Sequence, residues 1–140
     1  MPWNWFRSRA TRLTPRLELG ERGEDAAARF LRRNGYKIIV RRFKSRAGEI
    51  DIIARQKDWL VFVEVKTRKT EQYGAPSNAV DKKKQRHMTR TALDYLRLLD
   101  NPKIKFRFDI VEVIFLGSSK KPDDIRLFQN AFDLSEPFIY

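Results

Sequence analysis

The order of segments along the chain predicts an α/β domain: one mixed sheet of about five strands with helices on its flanks. Three observations carry this. A helical segment, three strand-like runs, a long helix and two more strand-like runs follow one another with no repeated strand–helix unit, so a mixed sheet fits best. At 140 residues, 41% hydrophobic and 12% aromatic, the chain can build one real core but not two. It contains no cysteine, so neither a disulfide framework nor a thiolate metal site holds it together.

Residues 1–19 read as a basic N-terminal extension ahead of a single domain over 20–140. Its first 17 residues carry four Arg and three large aromatics without an acid. Such a terminus orders poorly unless tied down. A transit-type leader and an arm touching nucleic acid are the other readings its composition allows. "GERGEDAAARFLRRNG", residues 20–35, reads as a helix: acids open it, Ala, Phe and Leu follow at helical spacing, Arg32 and Arg33 close it, and Asn34-Gly35 stops it. Strands are expected over Tyr36 to Phe43, Glu49 to Arg55 and Trp59 to Thr67, with a turn centred on Gln56-Lys57-Asp58. A loop then leads to a long helix from Ala79 to Leu99, with Ser77 or Asn78 as its N-cap. Lys103 to Phe115 alternates long enough to be a strand, and a weaker strand covers Ile125 to Phe132.

Thirty Lys and Arg against 18 Asp and Glu give a net charge of +12. Only four of the basic residues and one acid fall in the first 20 positions, so the body itself is basic. Such a surface favours polyanions, nucleic acid first and an anionic membrane surface second. No apolar run approaches the ~18 residues of a membrane span, and the N-terminus lacks the apolar stretch of a secretory signal. A cytoplasmic protein is expected.

The informative stretch is "GEIDIIARQKDWLVFVEVKTRK", where Glu49, Asp51 and Glu64 interrupt runs of Ile and Val. Residues two apart on a strand share a face, which pairs Glu64 with Lys66 and Glu49 with Asp51. If the hairpin pairs residues whose numbers sum to 115, Asp51 faces Glu64. That register needs a two- or four-residue loop, and a slip of one sends the groups to opposite faces. Opposed carboxylates destabilise a sheet unless compensated. A hard divalent cation is one remedy, held by the acids, water and a phosphate oxygen. A solvated face of acids paired with nearby Arg and Lys is the plainer alternative, but these charges sit inside an apolar run.

On the first helix, Glu24 shares part of the apolar stripe, which suits either a group facing the sheet or an acid favoured by the helix dipole. On the long helix, Lys82, Lys83, Lys84 and Arg86 crowd the first turns, where cations oppose the dipole unless a phosphate backbone lies nearby. Arg46, Arg68 and Lys69 complete the basic set expected to touch nucleic acid. Gln85 projects with Met88, Ala92 and Leu96 as either a polar group reaching the site or a satisfied buried amide. Asp109, on one face with Arg107, reads as an ion-paired strand residue. His87 is the single His, so Ser/His or multi-His chemistry is excluded.

"GEIDIIA", "VFVEVKTR", "RFDIVEV" and the closing "NAF" at Asn130 to Phe132, in that order, resemble the YraN-like family of small bacterial proteins. That family is grouped with the PD-(D/E)xK nucleases, which include Holliday-junction resolvases and restriction enzymes. The resemblance runs from about Gly20 to Phe132 and implies a restriction-endonuclease-like core. It also implies Asp51 and Glu64 as ligands for Mg²⁺ or Mn²⁺, Lys66 as the catalytic lysine, Glu24 as a third acid and Gln85 as a polar residue of the site. The Pro of the superfamily's name is Ile50 here. The function implied is metal-dependent cleavage of phosphodiester bonds in DNA rather than RNA, branched or damaged DNA included. Cutting two strands would favour a homodimer. The alternatives are a nucleic-acid-binding module that keeps the fold but no longer cuts, and a basic protein docking to a protein partner.

Overall fold

The computed structural model describes residues 14–69 and 80–134. Helix α1 (Pro15–Arg33) is followed by strands β1 (Lys37–Ser45), β2 (Gly48–Gln56) and β3 (Trp59–Arg68). Helix α2 (Lys82–Leu98) and strands β4 (Lys105–Ile114) and β5 (Asp124–Phe132) complete the fold. The five strands form one sheet in the order β1-β2-β3-β4-β5. β1, β2 and β3 are antiparallel neighbours, β3 and β4 are parallel, and β5 returns antiparallel to β4. A parallel pair needs a long crossover, and α2 lies within it. This is the mixed α/β sheet the segment order predicts, and it is consistent with a restriction-endonuclease-like core.

The strand boundaries fall within two residues of the sequence expectation; the helix starts do not. α1 begins at Pro15 rather than Gly20, because Thr14 caps it: the Thr14 hydroxyl accepts from the Leu17 N–H at 3.2 Å, and proline occupies the first position. The end of the basic extension is therefore helical, while residues 1–13 lie outside the described residues. α2 begins at Lys82, with Asp81 as its cap through a 2.8 Å bond from the Lys84 N–H. That carboxylate offsets part of the dipole cost of the lysines behind it. Ser77 and Asn78, the caps expected from sequence, lie outside the described residues.

The helices cover opposite faces of the sheet. Ala27, Ala28 and Leu31 of α1 pack on Ile52, Val61, Val63 and Val111. Met88, Ala92 and Leu96 of α2 pack on Ile53, Phe62, Phe108 and Ile110. Gly23 lets α1 come down on the end of β3: a Cβ there would collide with Thr67 Oγ1 and lie 3.0 and 3.1 Å from the Thr67 Cβ and Cγ2.

Candidate functional site

The β2–β3 turn is the two residues Lys57-Asp58, with Lys57 in the left-handed region at φ 55°. It sets the pairs Gln56↔Trp59 to Ile52↔Val63, each summing to 115, which is the register that turns Asp51 toward Glu64. Backbone pairing stops at Ile52↔Val63. Beyond it the Asp51 carboxylate accepts the Val65 N–H at 2.8 Å, so a side chain continues the ladder where the two backbones part.

The alternation of faces also breaks here. Ile50 and Ile53 both belong to the α2-side core, whereas Ile52 and Ala54 belong to the α1 side. At this point a cleft of about 540 Å³ lies between α1 and the ends of β1, β2 and β3. Glu24 of α1, Arg42 and Lys44 of β1, Glu49 and Asp51 of β2, and Lys66 of β3 line it. Arg16, Leu17 and Leu19, from the segment read as an extension, also form part of its wall.

Glu64 is 4% exposed and lies between two lysines, Lys66 Nζ at 3.5 Å and Lys84 Nζ at 3.7 Å. Its Oε2 makes no hydrogen bond among the described residues. Asp51 has a carboxyl pushed up to about 7, first by burial and then by the charge of Glu64, with Glu24 adding to it and the Val65 N–H and Lys84 opposing. Two acids thus sit close enough to penalise one another and are incompletely satisfied by the chain. Asp109 provides the internal contrast. It is fully buried, yet it accepts from Tyr36 Oη at 2.8 Å, Arg107 Nε at 2.9 Å and the Asn130 N–H at 2.9 Å. That acid is the ion-paired strand residue its spacing predicts. Asp51 and Glu64 are not of this kind.

The remaining expected site residues divide. Glu24 is buried on the cleft wall, but its carboxylate is bonded by Arg41 Nε at 3.1 Å and by Arg42 Nε at 3.2 and 3.3 Å. Gln85 is buried, and its Nε2 donates to the Val80 carbonyl at 2.9 Å, so its amide holds the entry to α2. Lys84 stands apart from Lys82, Lys83 and Arg86: they are exposed, and it reaches Glu64. Lys69 is exposed at the end of β3, and Arg46 lies at the β1–β2 turn beside Arg90 and Arg97 of α2. Arg68 approaches a residue that the sequence reading passed over, the fully buried Glu112, at 3.7 Å. Burial raises the Glu112 carboxyl, and neither oxygen has a hydrogen-bond partner among the described residues. The signal for it was the one that marks Glu64, an acid inside the apolar run "FDIVEVIF".

Asp51 and Glu64 offer hard oxygen donors, one of them an unbonded buried oxygen, and this fits a cation that takes one or two carboxylates and completes its shell with water and phosphate oxygens. An all-protein cage is a different matter: among the described residues no three His, Cys, Asp or Glu side chains converge.

The class is that of small α/β proteins with a mixed five-stranded sheet and a cleft of charged side chains where β2 and β3 part. The chain belongs to the uncharacterised protein family UPF0102, the YraN-like family, whose sequence pattern matches residues 23–113. It is 45% identical over 121 residues to a UPF0102 protein of Desulfosudis oleivorans, covering 86% of this chain and 94% of that one. A UPF0102 protein of Symbiobacterium thermophilum is 49% identical over 117 residues, 81% of this chain and 95% of its own length. One from Geobacter sulfurreducens is 45% identical over 119 residues, 84% and 90% of the two chains. Among the described residues no helix is long and apolar enough to cross a membrane.

Proposed function

We propose that the protein is a PD-(D/E)xK-type endonuclease that hydrolyses phosphodiester bonds in DNA, branched or damaged DNA among its substrates, with Mg²⁺ or Mn²⁺ as cofactor. The observation that supports it best is the approach of Asp51 and Glu64 where β2 and β3 part, with a Glu64 oxygen that makes no hydrogen bond among the described residues and Lys66 and Lys84 beside it. Asp51 and Glu64 would hold the cation, which supplies Lewis acidity toward the phosphodiester.

The chain's own groups do the rest. Val65 fixes the Asp51 carboxylate through its N–H, so the ligand is oriented before substrate arrives. Lys66, with its side chain 34% exposed on the cleft, holds the attacking water or neutralises the non-bridging oxygens of the phosphate. Lys84 balances Glu64 from the other helix. The exposed Lys82, Lys83 and Arg86 on α2 seat the DNA backbone. On a branched substrate, two copies would each cut one strand.

Cleavage assays on supercoiled, linear and four-way-branched DNA test this reading. The expected result is metal-dependent nicking that Asp51→Ala and Glu64→Ala each abolish while DNA retardation in a gel persists. Normal cleavage by either variant refutes the site. Retardation with no product under any metal assigns the chain to the non-cutting alternative.

A further inference from the structure

Glu24 faces the cleft with Asp51, yet it is engaged by two arginines of β1 that are not equivalent. Arg41 is also held by Asp25 at 2.7 Å, and its side chain is 33% exposed. Arg42 is 45% exposed, lines the cleft beside Lys44, and reaches Glu24 at 3.2 Å and Glu21 at 3.4 Å. Neighbouring residues on a strand point to opposite faces, so Arg41 and Arg42 should not share one carboxylate. They do because Arg42 has φ 56°, a left-handed conformation unusual for a side chain of this kind. The alternation of β1, already shifted once by the bulge between Ile38 and Val40, breaks again at this residue: Arg41 lies toward α1, Phe43 packs on the α2 side, and Arg42 is turned back toward Glu24. It lies in the gap of the β1–β2 ladder between Arg41↔Ile52 and Phe43↔Ile50, opposite Asp51. Such backbone outliers gather at functional sites because the surroundings must hold them in place.

We infer that Arg42 is a latch on the site: without substrate it ties Glu24 to β1, and a nucleic-acid phosphate entering the cleft takes the guanidinium and releases Glu24 toward Asp51 and Glu64. The inference rests on the divalent-cation reading above. The exchange is chemically natural. A partly exposed Arg–carboxylate pair is weakly held, and the guanidinium fork matches a phosphate as well as a carboxylate. Arg41, bonded to Asp25 as well, keeps Glu24 Oε1, so the oxygen set free is Oε2, which Arg42 bonds at 3.2 Å. Released Glu24 adds a third acid next to a pair that already repels, and that arrangement favours a cation. DNA and divalent cation therefore promote each other's binding, and the coupling is reciprocal.

The test is a Mn²⁺ titration of the full chain, with and without a short DNA duplex, reading free Mn²⁺ by its paramagnetic resonance signal. Asp51→Ala/Glu64→Ala serves as the blank for Mn²⁺ held by the DNA itself. The main variant is Arg42→Gly, because glycine accepts the positive φ and the fold is kept. In the wild type, DNA should tighten Mn²⁺ binding by about tenfold. In Arg42→Gly, binding without DNA should already be tighter than wild type, and DNA should add less than it does in the wild type, the remainder being direct ligation by phosphate. Equal wild-type affinity with and without DNA, or an unchanged DNA effect in Arg42→Gly, overturns the latch and leaves the cation site standing. Binding that never exceeds the blank overturns the cation reading, and the latch with it.

Discussion

Asp51 shows how a side chain's environment separates a structural acid from a chemical one. Its carboxyl titrates near 7 in the folded protein because it is buried and faces Glu64, against 3.8 for the ordinary group. Between those values the native state holds a proton that the unfolded chain has lost, so stability falls as pH rises through that window, and the full penalty remains above it. Asp51→Asn keeps an acceptor for the Val65 N–H and removes the charge. It should gain on the order of 2 kcal/mol at pH 8 and nothing near pH 4, read by chemical denaturation. An equal gain at both pH values would place the effect outside this carboxyl. The acids themselves were legible in the sequence as charges inside apolar runs. Whether Asp51 met Glu64 was not, because it depended on a turn of two residues rather than three. The left-handed Arg42 left no trace at all: nothing in the letter Arg announces a positive φ. Lys84 falls four residues before Met88, at the edge of the inward stripe, but only the packing of α2 on the sheet shows that it reaches Glu64.

At the scale of elements, α1 determines the shape of the cleft, and Gly23 sets how close it comes. Gly23→Ala drives a methyl group into Thr67 and should cost roughly 1–3 kcal/mol, in denaturant unfolding, by pushing the helix off β3. Gly20, three residues earlier on the same helix, has nothing within 4 Å of an added Cβ. Gly20→Ala should instead stabilise by about 0.5–1 kcal/mol through helix propensity alone. A similar response at both positions would contradict the close approach. The helix starts earlier than the expected Gly20 because its cap, Thr14 ahead of Pro15, lies in what reads as a basic tail. Gly20 and Gly23 are poor interior residues of a helix. Packing of Ala27, Ala28 and Leu31 on the sheet outweighs both penalties. The strands were more legible, since sheet covered on both faces leaves short runs rich in Ile, Val and Phe bounded by turn residues.

For the whole molecule, the net charge of +12 predicts binding to polyanions that weakens with salt. If the exposed face of α2 seats the DNA, Lys82→Ala/Lys83→Ala/Arg86→Ala should lower affinity evenly across sequences. The slope of log K against log salt should fall by roughly one for each phosphate contact removed. Fluorescence anisotropy over a salt series reads both. An unchanged slope would move the DNA to another face. Lys84→Ala should behave differently, sparing the slope and altering the cleft, because Lys84 is committed to Glu64. The order of elements and the mixed sheet followed from segment pattern alone, whereas the sorting of the described basic residues into cleft and surface required the fold.

The proposed function stands or falls with Asp51 and Glu64 acting as one divalent-cation site. Calorimetric titration of Mg²⁺ and Mn²⁺ into the wild-type chain and into Asp51→Ala/Glu64→Ala tests it most directly, with folding of both checked by circular dichroism. Saturable binding of at least Mn²⁺ to the wild type is expected, and its loss in the double variant. Binding that survives the loss of both carboxylates would contradict it.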